Sequence, residues 1–275
     1  MGAARLSVLG GLIWVLVAGA AVPGMTSAGT EHVPGIPMTP QGLSRCEHPM
    51  APTTRLLSQG EQLVYDVNLL GVGIGRAHLS TRSLSDGATL YLAAIEPARF
   101  VAGVFRVEGA VSAQLPAGAM VGGLSELRYG FRDTSYVEEQ RIDADGRIQA
   151  TRTKNGKAKR YERDFEGPVL DLLSSVALAR ELPERGTGCA LLVNDGRAFT
   201  LWTRHVKRER VEVGDDEREV MAERYEVRYG SDRGKKIEKL NVWVSTATPR
   251  IVLRAESDAA LAPKLVLREH RGPTR

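Results

Sequence analysis

Long apolar runs are scarce in this 275-residue chain. After residue 22 no stretch is long and apolar enough to cross a bilayer as a helix. An excess of one charge is lacking too. With 37 basic and 33 acidic side chains interspersed, the net charge of +4 argues against a nucleic-acid partner, and no recognition motif for one occurs. The five histidines, His32, His48, His78, His205 and His270, form no pair with another ligand at metal-binding spacing. No metal or other cofactor is expected. Cysteine is limited to Cys46 and Cys189. In an oxidising compartment that pair fits a disulfide, or two independent thiols, one on an arm and one buried near Leu191.

Catalytic signatures are missing as well. Ser125 in GLSEL lacks the second glycine of a nucleophile elbow. Glu138–Glu139 and Asp215–Asp216 are neighbours in sequence, and on a strand neighbours point to opposite faces. They cannot flank one bond. The chain is therefore expected not to be an enzyme. Gly71-Val72-Gly73-Ile74-Gly75 has the look of a phosphate loop, but a strand follows it rather than a helix, which favours a glycine bend or bulge.

The N-terminus carries the strongest signal present. Arg5 precedes the run LSVLGGLIWVLVAGAAV and then small residues, which predicts a signal peptide over 1–28. Ala18-Gly19-Ala20 and Thr26-Ser27-Ala28 are the candidate cleavage sites, and an uncleaved anchor is the alternative. The expected location is the periplasm or envelope of a bacterium, with no membrane span once the leader is removed. Residues 29–59, within a stretch holding Pro23, Pro34, Pro37, Pro40, Pro49 and Pro52, read as a disordered proline-rich linker. A single domain is expected over 60–270, with a disordered tail at 271–275.

Within that domain one strand follows another. EQLVYDVNLL sets Leu63, Tyr65, Val67 and Leu69 on one face. Asp86-Gly87, Asp145-Gly146, Asn155-Gly156 and Asp195-Gly196 separate alternating segments, as hairpin turns do. More than a dozen strands without alternating helices predict an all-β, mainly antiparallel fold, either a curved sheet or a barrel-like one. One short helix is expected near 168–182. Pro168 suits a first turn, Asp171 a helix N-terminus, Leu172, Leu173, Val176, Leu178 and Ala179 form an apolar stripe, and Pro183 stops it.

Three stretches resemble the bacterial domain-of-unknown-function family 3108. GEQLVYDVNLLGVGIGRAHL is similar to its opening strand pair, with Gly60, Glu61 and Tyr65 at the matching positions. DLLSSVALAR is similar to its Asp-x-x-Ser helix ending in Arg, through Asp171, Ser174 and Arg180. VWVSTATPRIVLRAE resembles its closing hairpin, through Trp243 and Ser245. Val176 and Ala177 stand where that family usually has an aromatic. The resemblance implies an exported, mostly β envelope protein and no established activity.

The surface feature that stands out is a basic hairpin, Arg152, Lys154, Lys157, Lys159, Arg160 and Arg163, about Asn155-Gly156. It fits a contact with phosphate or anionic headgroups, or a solvated hairpin whose lysines discourage edge pairing. Arg204 to Arg210 carries the same two readings. The functional expectation is a β domain binding an apolar or amphipathic ligand, such as a lipid, or a partner protein. The alternatives are an assembly factor of the envelope acting by protein contacts, and an enzyme acting on cell wall or glycan.

Overall fold

The structure, a computed structural model, describes residues 31–33, 45–104, 107–131, 134–194, 197–231, 237–258 and 263–272. The leader over 1–28, most of 29–44, Asp195-Gly196 and the last three residues lie outside the described residues.

Period-two patterning is clearest in the first half of the sheet. Strand β2 (Gln62–Leu69) buries Leu63, Tyr65, Val67 and Leu69 on one face. Each buried Leu or Val of this kind stabilises the fold by about 1.5–3 kcal/mol. Strands β3 (Val72–Ser83), β4 (Thr89–Pro97), β5 (Val107–Leu115), β6 (Gly123–Phe131), β7 (Thr134–Ile142), β8 (Arg147–Lys154) and β9 (Lys157–Asp164) continue as an antiparallel meander. Strand β1 (Glu31–Val33) adds in parallel to β9. Strand β10 (Val169–Leu170) precedes the longer helix, and β11 (Gly188–Asn194), β12 (Arg197–Val213), β13 (Arg218–Ser231), β14 (Glu238–Ser245), β15 (Val252–Ser257) and β16 (Lys264–Arg271) follow it. Strand β16 pairs with β2, so the two halves join into one sixteen-stranded sheet, in which β1 and β10 are the outermost strands.

The sheet does not close; it curls. A short helix, α1 (Arg99–Val104), links β4 to β5, and a longer one, α2 (Leu172–Arg185), lies in the concavity. Helix α2 meets β5 on one side and β11, β14 and β15 on the other, strands well separated in sheet order. Only a curled sheet brings them to one helix. The core follows α2: Leu172, Leu173, Ala177 and Leu178 pack among Leu79, Tyr91 and Val111. Leu173→Ala, at a site 1% exposed, would cost about 2–5 kcal/mol.

The helix boundaries differ from the sequence-based expectation. Asp171 is the N-cap, in extended conformation, so the helix starts at Leu172 and not at Pro168. Val169 and Leu170 are spent on a buried parallel pairing with β11. At the other end the helix runs through Pro183 to Arg185. Gly186, at φ 74°, caps it by donating its N–H to the Leu182 carbonyl.

The linker expectation also needs correction. From Arg45 to Ser58 the chain is a packed strap, not a disordered spacer. Cys46 and Cys189 form a disulfide, with their Cα atoms 5.7 Å apart. Met50 N–H donates to the Cys189 carbonyl at 2.7 Å, and Leu56 and Leu57 are buried. A proline-rich segment makes no regular ladder, but its donors find acceptors on α2 and β11. The C-terminal boundary shifts as well: Arg271, expected in the tail, ends β16 opposite Gln62.

Glycine is required where the backbone turns or crowds. Leu70 and Gly71, both at positive φ, close the β2–β3 hairpin as a type I′ turn needs. A Cβ on Gly75 would sit 2.5 Å from the Glu96 carbonyl, so this glycine lets β4 approach β3. The glycine cluster is hairpin architecture.

Candidate functional site

The helix and the concave face leave a space between them. A cavity of about 120 Å³, partly open to solvent, lies between α2 (Val176, Leu178, Ala179, Leu182) and strands β2, β3 and β11 to β16. Its sheet wall is apolar, including Leu79, Leu192, Val227 and Val242. The polar groups of the wall are turned to partners of their own. Tyr65 Oη donates to the Val252 carbonyl at 3.0 Å, Tyr229 Oη to Glu238 at 2.9 Å, and Ser175 Oγ to the Leu172 carbonyl at 2.6 Å. Burial pushes both phenols well above the ordinary tyrosine range, Glu238 adding to the effect at Tyr229, so neither supplies a charge. The space can hold an apolar group, and its wall offers no titrating group for proton transfer near neutrality.

The roof of the cavity is held by buried polar contacts. Asp171 accepts from Leu173 N–H at 2.7 Å, from Ser174 N–H at 2.9 Å and from Ser174 Oγ at 2.8 Å. Burial raises its pKa, and these bonds from Ser174 and Leu173 oppose the rise. At the far end of α2, Arg180 Nη2 meets Glu61 at 3.2 Å, its Nε donates to the Arg250 carbonyl at 2.5 Å, and its Nη1 donates to the Leu56 carbonyl. Glu61 also accepts from Ser58 N–H at 2.7 Å, and His270 Nε2 lies 3.2 Å from it. Glu181 accepts from Thr53 and Thr54, through both backbone N–H groups and both hydroxyls. Burial works against that carboxylate, but the Thr54 and Thr53 bonds hold its pKa below the ordinary value. Strap and roof are thus one unit.

The sequence-derived positions fall into three groups. Glu61, Asp171, Ser174 and Arg180 gather about α2, with Gly60 at positive φ in the turn before β2 and Tyr65 on the cavity wall. Trp243 lies on the opposite sheet face, its Nε1 donating to Glu209 at 2.8 Å between the guanidinium groups of Arg224 and Arg254. Ser245 closes the β14–β15 turn, where its Oγ accepts from Ile251 N–H at 2.9 Å. The basic hairpin stands apart from the cavity at the tip of β8–β9. Arg163 differs from the rest of it, being buried on the inner face.

The second basic run turns out to be matched by acid. Arg204, His205, Arg208 and Arg210 face Glu226, Glu223 and Glu219 across β12–β13, and Lys207 meets Glu209. A register shift between His205 and Lys207 marks the bend in this long hairpin. Its distal end reaches back over β16, where Gly214 N–H donates to the Leu267 carbonyl.

His78 pairs with Glu96 and His205 with Glu223, and neither lines the cavity. Among the described residues no three His, Cys, Asp or Glu side chains gather as a metal site. Glu138 and Glu139 face opposite ways: Glu138 is buried and accepts from Tyr161 Oη at 2.6 Å, whereas Glu139 is exposed. A polar groove of about 730 Å³ lies along β4 to β9, and Glu126 and Glu139 stand opposite each other in it. Sequence reasoning missed the Glu138 cluster and this groove, because both are assembled by cross-strand register alone.

The chain matches no protein-family model and no curated protein sequence. Solved structures do resemble it. A beta-barrel-like protein of the domain of unknown function DUF1849 from Brucella abortus superposes with a TM-score of 0.51 at 12% identity, covering 79% of this chain and 98% of that one. A candidate exported protein with a YmcC-like fold from Bacteroides fragilis gives 0.34 at 11% identity, over 81% and 100%. A candidate lipoprotein from Parabacteroides distasonis gives 0.34 at 9%, over 83% and 100%. The first likeness places the fold among barrel-like, mostly antiparallel β proteins, and at these identities it speaks to fold alone.

Proposed function

We propose that this chain is an exported envelope protein whose β domain holds an apolar or amphipathic molecule between α2 and the concave sheet face, without catalysing a reaction. The observation that carries this is the apolar cavity of about 120 Å³ whose polar wall groups are all engaged elsewhere. An apolar space of this order accepts a single aromatic ring or a short alkyl segment. Export is supported by the leader pattern over 1–28 and by the Cys46–Cys189 bond, which suits an oxidising compartment. Membership of family 3108 is part of this reading, supported by Glu61 and Arg180, two of its motif positions, meeting in one buried pair.

The test is native mass spectrometry of the exported form with organic extraction, alongside titration with the apolar dye N-phenyl-1-naphthylamine. A co-purified apolar molecule, or dye uptake that Ala179→Phe abolishes by filling the space, supports the reading. A bare mass together with dye binding indifferent to Ala179→Phe sinks it, and a protein partner then becomes the better account.

A further inference from the structure

The two ends of the curled sheet differ in chemistry. Strand register places the β2–β3 turn, α1 and the β8–β9 turn at one end. There Leu70, Val72 and Phe100 are 71%, 54% and 57% exposed, large apolar side chains in water at positions where the fold does not bury them. Ala98 N–H donates to the Ile74 carbonyl, which ties the start of α1 to the strand that carries Val72. Exposed Arg99 adjoins Phe100. The turns at the other end carry Asp86, Asp143, Asp145, Asp215 and Asp216.

The basic hairpin contributes the remaining chemistry of the first end. Arg152 stands directly opposite Lys159, and Lys154 opposite Lys157. Like charges so placed destabilise a hairpin. Arg152 is flanked on its other side by Glu138 of β7, and on β12–β13 carboxylates face the cations, so the uncompensated like-charge pair is Lys154 with Lys157. Lys154, Lys157 and Lys159 are exposed and have no carboxylate partner among the described residues. Protection of a sheet edge would account for lysines on β9, yet β8, an interior strand, supplies Lys154 as well. Among the described residues at this end, Glu96, Glu238 and Asp258 are engaged by His78, Tyr229 and Asn241. Repulsion between Lys154 and Lys157, retained at the same end of the sheet that exposes Leu70, Val72 and Phe100, points to an external surface that is both anionic and apolar beneath.

We propose that this end of the sheet docks onto an anionic lipid membrane, Leu70, Val72 and Phe100 entering the interface while Lys154, Lys157 and Lys159 meet lipid phosphates. Apolar insertion plus electrostatic attraction is how peripheral proteins hold to a bilayer. The inference stands independently of what the cavity holds.

The experiment is flotation of residues 29–275 with vesicles of phosphatidylethanolamine, with or without phosphatidylglycerol. That fragment omits the apolar leader and keeps every described contact of the sheet and strap. It should float with the phosphatidylglycerol vesicles and be released by salt. Lys154→Ala/Lys157→Ala/Lys159→Ala should bind at least roughly tenfold more weakly, and Lys157→Glu alone repeats the test at one exposed turn position. Leu70→Ser/Phe100→Ser should float at low salt but release at lower salt than the wild type. Asp145→Lys/Glu166→Lys adds charge at the opposite end and should gain nothing. Failure of the wild type to float, undiminished flotation of the hairpin variants, or an equal gain from charge at the wrong end would each overturn docking through this end.

Discussion

Glu61 and Arg180 lie 119 residues apart in sequence and meet at 3.2 Å beneath the strap, with side chains only 2% and 10% exposed. Removing one partner leaves the other buried and uncompensated, which costs about 3–5 kcal/mol. Arg180→Met and Glu61→Gln should each show that loss in urea unfolding, and the double variant should lose less than the sum. Additive losses would mean that the two residues act separately and that the pair does not hold the roof.

Asp171 caps α2 through two backbone donors and one hydroxyl. Asp171→Ala should cost about 1–2 kcal/mol. Asp171→Asn keeps an acceptor in place and sheds a buried charge, so it should be the milder change. Thermal unfolding of the two variants decides this. An asparagine variant worse than the alanine one would show that the charge itself is required.

The disulfide joins residues 143 apart. Cys46→Ser/Cys189→Ser should lower stability by about 2–4 kcal/mol. The loss should begin locally, with hydrogen exchange at Met50, Thr53 and Thr54 speeding up before exchange in α2 does. Unchanged protection of the strap would mean that its other contacts suffice.

The Glu181 carboxylate has a folded-state pKa below its ordinary 4.5, because Thr53 and Thr54 donate to it. A depressed carboxylate contributes stability that is present above the unfolded value and is lost as pH falls through the folded one. Asp171, raised by burial, has the opposite sign, so the useful readout is the difference between wild type and Glu181→Gln. The wild-type advantage should be full above about pH 4.5 and should shrink on further acidification. A difference flat across that range would rule out the charged clamp.

The amino-acid sequence by itself determined the all-β class and the position of most strands, because alternation and Asp-Gly or Asn-Gly turns are local chemistry that needs no distant partner. It also put Asp171 near the helix N-terminus, for its charge and not as the cap it proves to be, and set the start of the helix four positions early. What only the tertiary structure decided depends on the curl of the sheet. Periodicity along one strand says nothing of which residue lies across a concavity, so the meeting of Glu61 with Arg180 and the clamp from Thr54 to Glu181 were invisible. The packed strap was missed for the same reason, since its order comes from acceptors on α2 and β11 and not from any pattern of its own. The cavity is likewise a property of the curl, because its walls come from α2 and from strands at both ends of the chain.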